Sequence, residues 1–297
     1  MRENLMALGT MLLLLPIAAG QETYTLKTSK PEQVGDREHR NVTESENSGV
    51  IIQDATGKVL NEEKNVKQKA FIYEEKILAK VPGKRASKVS RTYEKAVRIE
   101  KDQETDVGLK GKTVIIEFKD NQWQFAHADG GAVTGAAADF LKEEFKNKDE
   151  DDSKMEEAVL PKKPVREGES WTCDVQAILK GMGKDVSEGV DVAKVEAIGK
   201  LLKVYKKDGV PFGVIDVAIT LPVKKFGSGP ATVKLDEGVV MKLKAKLDAR
   251  IDGEATEGTM ATKMTMKGNG KVDAGGGEVT LKFDIAFSGT DTRKAVK

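Results

Sequence analysis

Val239-Val240-Met241-Lys242-Leu243-Lys244-Ala245-Lys246-Leu247-Asp248-Ala249-Arg250-Ile251 alternates apolar and polar side chains almost without a break. Side chains of an extended strand point alternately to opposite faces, so this pattern describes a strand with one buried and one wet face. Val279, Leu281, Phe283, Ile285 and Phe287 repeat it against Thr280, Lys282, Asp284 and Ser288, and Met260, Thr262, Met264 and Met266 form a weaker copy between them. Gly253, Gly268-Asn269-Gly270 and Gly275-Gly276-Gly277 are turn candidates. Half-buried strands joined by short turns build an antiparallel meander. The run from Gly238 to Asp252 would span about 50 Å at ~3.3 Å per residue, which implies either a bulge or a broad, curved sheet.

The same reasoning extends upstream. Lys206-Lys207-Asp208-Gly209 is a hairpin turn within Gly199–Val223, because Asp-Gly suits the positive φ of a two-residue turn. Thr113–Phe118 and Trp123–Phe125 flank a second hairpin, and further strands are expected near Tyr24–Thr28, Ala70–Ala79 and Val89–Ile99. One helix stands out: Thr134 precedes Ala137, Phe140, Leu141, Glu144 and Phe145, which share a helical face. The expected fold is mainly β (α+β), a curved antiparallel sheet or meander with one principal packed helix. A leader at 1–20 precedes a β-rich half at 21–147 that ends in the helix. A charged, proline-containing linker at 148–165 then leads to the C-terminal meander at 166–297.

The leader is read from Leu5–Ala19, 15 residues without a charge, followed by the small residues Ala18-Ala19-Gly20. That run is too short to span a bilayer and has the form of a signal peptide cleaved after Gly20 or Ala19. Export to the periplasm or the extracellular space is the expectation, with no lipid-bearing cysteine and no transmembrane anchor in the mature chain. The whole chain carries 49 Lys+Arg against 48 Asp+Glu. This balance lacks the overall basic field that nucleic acid requires, so no nucleic-acid partner is expected. Long alternating strands also occur in outer-membrane barrels, but those carry aromatic girdles, and aromatic residues here are only 5%.

Chemistry-bearing residues are few. His39 and His127 are the only histidines and Cys173 the only cysteine, so no metal site, cofactor site or catalytic residue is assigned. A Cys173–His127 nucleophile is weighed against a buried structural thiol, and the buried thiol is preferred because Ser170-Trp171-Thr172-Cys173-Asp174-Val175 reads as a strand. Asp149-Glu150-Asp151-Asp152 lacks the glycine of a calcium loop and reads as a solvated linker. Asn41-Val42-Thr43 matches the glycosylation triplet, and His127–Gly131 a glycine turn.

Leu160-Pro161-Lys162-Lys163-Pro164-Val165-Arg166-Glu167-Gly168-Glu169-Ser170-Trp171 is the most distinctive stretch. Two prolines hold an extended entry, Gly168 permits a turn, and Trp171 starts a strand from which it plugs the core. The stretch resembles a motif of bacterial exported β-rich proteins of unknown function, in which Leu-Pro-x-x-Pro-Val precedes Gly-x-x-Trp. The resemblance covers about residues 105–290 and implies export and a β-rich fold, with no activity attached. The functional expectation is a non-enzymatic binding or structural protein of the cell envelope, meeting an apolar small molecule or an envelope protein. The alternatives are a periplasmic carrier of an apolar ligand or lipid, and a secreted hydrolase.

Overall fold

The structure is a computed structural model that describes residues 22–81, 85–146, 153–226, 232–273 and 277–296. The leader with its cleavage site and the acidic run 149–152 lie outside the described residues. The chain opens with β1 (Thr23–Tyr24) and the long strands β2 (Arg37–Gln53), β3 (Val59–Lys80) and β4 (Ala86–Glu100). Then come β5 (Gln103–Asp106), β6 (Thr113–Lys119), β7 (Gln122–His127) and helix α1 (Gly135–Phe145). The middle of the chain holds α2 (Ser153–Val159), β8 (Val165–Arg166), β9 (Ser170–Thr172), α3 (Val175–Gly181) and the short α4 (Lys184–Ser187). The rest is strand: β10 (Glu196–Lys207), β11 (Val210–Pro222), β12 (Lys225–Phe226), β13 (Val233–Leu235), β14 (Val240–Arg250), β15 (Gly258–Asp273) and β16 (Glu278–Ala295).

Mainly β is the observed class. One sheet runs in the order β7-β6-β4-β3-β2-β16-β15-β14-β11-β10-β9, and all its ladders are antiparallel. Each half of the chain is a meander, and the halves join where β2, the first long strand, pairs with β16, the last. The expected hairpins are present. Asp120 and Asn121 at one turn, and Asp208 and Gly209 at the other, take the positive φ that a two-residue turn demands. β14 runs 11 residues without a register shift against either neighbour, so breadth of sheet rather than a bulge accommodates the long alternating run.

Residues directly opposite in a ladder share a face. One such row reads Leu201, Ile215, Leu247, Met260, Asp291, Val42, Phe71 and Ala96 across eight strands. Two apolar clusters therefore sit on one face of one sheet. The first gathers Leu201, Ile215, Val217, Leu221, Met241 and Leu247 with Leu26, Ile178 and Leu179. The second gathers Phe71, Tyr73, Tyr93, Val114 and Ile116 with Phe140, Leu141 and Phe145 of α1.

The helix at 135–145 packs on the N-terminal strands, and the C-terminal meander is roofed by α2, α3 and the entry segment around Leu26. In the middle of the chain two sequence expectations change. Ser153–Val159, expected within an exposed linker, is helical and buries Ala158, and Val165 is buried where β8 pairs with β1. The strand at Trp171 ends at Thr172, because Asp174 then accepts from Ala177 N at 3.1 Å and caps α3.

Candidate functional site

The proline–tryptophan motif forms a helix stop and a clasp. α2 ends at Val159, and a terminal helical carbonyl has no partner within its own helix. The chain turns back through Pro161 and Pro164, and Trp171 Nε1 donates to the Val159 carbonyl at 2.9 Å, with Cys173 Sγ donating to the same oxygen at 3.5 Å. Trp171 is half-buried rather than the sealed plug expected from sequence, because its indole spans the gap between sheet and α2. Gly199, directly opposite on β10, makes room for it: a Cβ there would lie 2.3 Å from Trp171 Cε2.

Cys173 is buried, and burial pushes its thiol up to about 11. It follows β9 at one end of the strand path, whereas His127 closes β7 at the other, so the structure does not bring this pair together. Native protein should therefore react slowly with thiol reagents at neutral pH, and Cys173→Ser should keep whatever binding the wild type shows. Rapid labelling would mean an accessible thiolate and would return the nucleophile to consideration.

A charged ensemble lies within the N-terminal apolar cluster and extends toward β16. Arg91, 1% exposed, bonds Glu75 and reaches Glu144 of α1 at 2.7 Å. Its guanidinium lies 4.2 Å from the Tyr73 ring centre and 4.9 Å from that of Phe145. Toward β16, Arg40 and Arg293 both bond Asp291. Burial alone would raise the carboxyls of Glu75 and Asp291, but the neighbouring arginines hold both below the usual carboxylate range. Glu38 sits above it, because desolvation outweighs the pull of Arg40 and Arg293. Tyr73 and Tyr93 are likewise raised by burial. The charged groups pair with one another and join the packing of the N-terminal cluster.

The opposite face of the C-terminal strands is different. Lys200, Lys242, Lys244, Lys246, Lys263 and Lys282 are exposed and have no ion-pair partner among the described residues. On the same strands and face, the carboxylates without a cation are Glu196, Asp216 and Asp248, and Asp248 accepts from Tyr205 at 2.6 Å. The register sets lysine against lysine: Lys244 opposes Lys263, and Lys234 is opposed by Lys225 on one side and Lys271 on the other. Directly opposed side chains lie about 5 Å apart at Cβ, where like charges destabilise a ladder.

A shallow groove of about 430 Å³ crosses this face, edged by Lys200, Lys244, Lys246 and Lys263, with Asp216 and the small Ala218 and Ala261 along it. Register explains the groove, since the row Lys200, Asp216, Lys246, Ala261 alternates long and short side chains. Sequence reading saw these lysines only as the wet side of strands. The signal it passed over lies on β14, whose wet side carries Lys242, Lys244, Lys246 and Arg250 against the single acid Asp248.

The other best-formed cavity among the described residues, about 420 Å³, is an open recess lined by Glu22, Tyr24, Glu167, Gly168 and Leu202. Neither is an enclosed apolar chamber. Among the described residues no group of three or more His, Cys, Asp or Glu is placed to hold a metal ion, and no helix is long and apolar enough to cross a membrane. Asn41 of the glycosylation triplet is exposed on β2 in the ladder between Thr292 and Ile72. No protein-family profile matches the chain, and no curated protein is similar to it.

Proposed function

We propose that this is an exported, non-enzymatic binding protein of the cell envelope, whose lysine-rich sheet face holds a linear anionic polymer of the acidic-polysaccharide class. The opposition of Lys244 to Lys263, neither with an ion-pair partner among the described residues, carries the reading. Lys234 is likewise set against Lys225 and Lys271, though those two pair with Glu188 and Glu278. Such pairs cost stability in the free protein, and a polyanion laid across them turns the repulsion into attraction. Alternate lysines of β14 repeat at about 6.7 Å along the strand, and neighbouring strands are about 4.8 Å apart, so charges recur in two directions. A groove with charged edges suits a chain rather than a flat surface. Asp216 within it accepts from hydroxyl groups, and Ile198, 45% exposed, offers an apolar contact to a sugar ring. No aromatic side chain borders the groove, so it has no platform on which bases would stack.

The test is retention of the mature protein on immobilised polygalacturonate, compared with neutral dextran, over a salt series. Binding to the acidic polymer alone is expected, falling steeply as salt screens the exposed lysines. Lys244→Gln/Lys263→Gln should reduce the affinity by at least tenfold while leaving the melting temperature unchanged or higher, since the like-charge pair is removed with no buried group touched. Equal retention on dextran, or an affinity indifferent to the double substitution, would overturn the reading. Export is tested separately by intact mass of protein recovered outside the cytoplasm, which should begin at Gln21 or Gly20. A retained leader there would count against it.

A further inference from the structure

The β2–β3 hairpin outruns its neighbour. Gln68–Lys80 of β3 pairs with β4, but residues 59–67 pair with β2 alone, so for nine residues the outer edge of β3 meets no strand among the described residues. The edge is also apolar in places: Val59, Leu60 and Val66 are each at least half exposed, at 50%, 55% and 54%. The direction of its backbone groups follows from the other end of the strand. Ile77 N donates to Asp36 O at 3.0 Å and Gly35 N to Ile77 O at 2.9 Å, so odd-numbered residues of β3 bond toward β2. The register continues without a shift to Asn61. Glu62, Lys64 and Val66 therefore present their N–H and C=O groups outward, unpaired. A strand edge of this kind is a template for another strand.

We infer that this edge binds the same edge of a second copy of the chain, antiparallel, about a two-fold axis through Glu63. In an antiparallel ladder, outward-bonding residues oppose outward-bonding residues, which leaves few registers. An axis through Lys64 would set that lysine against itself. An axis through Asn65 would push the other copy against Gln68, which already pairs with Ile99 of β4. The axis through Glu63 uses the whole free run, placing Glu62 of each copy opposite Lys64 of the other and bringing Leu60 beside Val66. Glu62 and Lys64 already pair within each copy at 3.1 Å, and across the axis each gains a second opposite charge. Two apolar contacts form, and Glu63 facing its own copy is the one repulsive element. The charge pattern is self-complementary, which favours a second copy over an unrelated strand.

Sedimentation of the mature full-length chain over a concentration series tests this. A reversible dimer is expected. Lys64→Pro should abolish it while preserving the monomer's fold, because proline removes an N–H that points away from β2, and such edge positions tolerate proline. Glu62→Lys and Lys64→Glu should each weaken the dimer about tenfold, and the double exchange should restore it, with two pairs lost or regained per dimer. Glu63→Gln should tighten it. A chain that stays monomeric throughout the series would overturn the inference. So would a dimer untouched by Lys64→Pro and by both charge reversals, and if the proline variant fails to fold, the charge exchange still decides.

Discussion

Arg91→Met should destabilise the protein by about 3–5 kcal/mol, the cost of removing one partner from a buried ion pair and leaving the other uncompensated. Arg91 is fully buried and ties β3, through Glu75, to α1, through Glu144. It also lies over Tyr73 and Phe145, so methionine keeps most of the packing and loses the charge. Glu144 would then lose the buried arginine that bonds it, and Glu75 would keep only the pull of Arg40 and Arg85. The double variant Arg91→Met/Glu144→Met should recover part of the loss, because apolar replacement of a buried pair is far cheaper than its disruption. Chemical denaturation followed by near-ultraviolet dichroism checks both, since Tyr73, Tyr93 and Phe145 surround the site. If the single variant were as stable as the wild type, Arg91 would be hydrated and the clasp between α1 and the sheet would be wrong.

Trp171→Ala should cost about 3 kcal/mol, the lower end for a large aromatic because the ring is only half-buried. The loss combines packing against the C-terminal cluster with the bond that satisfies the Val159 carbonyl. Gly199→Ala approaches the same site from the other side. A methyl group there would sit 2.3 Å from the indole, so the ring must leave its seat, at a cost of about 1–3 kcal/mol. In the Trp171→Ala background the glycine substitution should cost almost nothing, and that non-additivity is the decisive measurement. Additive losses in the four-variant cycle would mean that Trp171 and Gly199 do not share one contact.

The strands with one wet and one buried face were legible, because burial imposes a period of two on their side chains. β14 and β16 and the hairpins at Asp120-Asn121 and Asp208-Gly209 belong to this group. β2 was missed although it lies at the centre of the sheet. Glu44, Ser45, Glu46, Asn47, Ser48 and Gly49 carry no apolar alternation, since this part of the strand crosses between the two apolar clusters and neither of its faces is covered by a helix. Its strand state comes from β16 and β3 on either side. α3 was not foreseen because seven residues are too few to display a helical period, and its cap at Asp174 was concealed in the strand-like run at 170–175.

By itself the sequence determined a mainly β chain with hairpin turns at Asp120-Asn121 and Asp208-Gly209, an amphipathic helix at 135–145 and an isolated thiol, since each follows from local stereochemistry or from counting. The turn expected at Gly268-Asn269-Gly270 lies within β15 instead. Tertiary structure alone decided that α1 roofs the N-terminal rather than the C-terminal strands, and that Trp171 rests on Gly199. It also decided that Lys244 faces Lys263 and that residues 59–67 have no outer neighbour among the described residues. The physical reason is register. Periodicity fixes which side of its own strand a residue occupies, whereas which residue it meets across the ladder depends on how far one strand slides along another, and that is settled only when all the strands pack together.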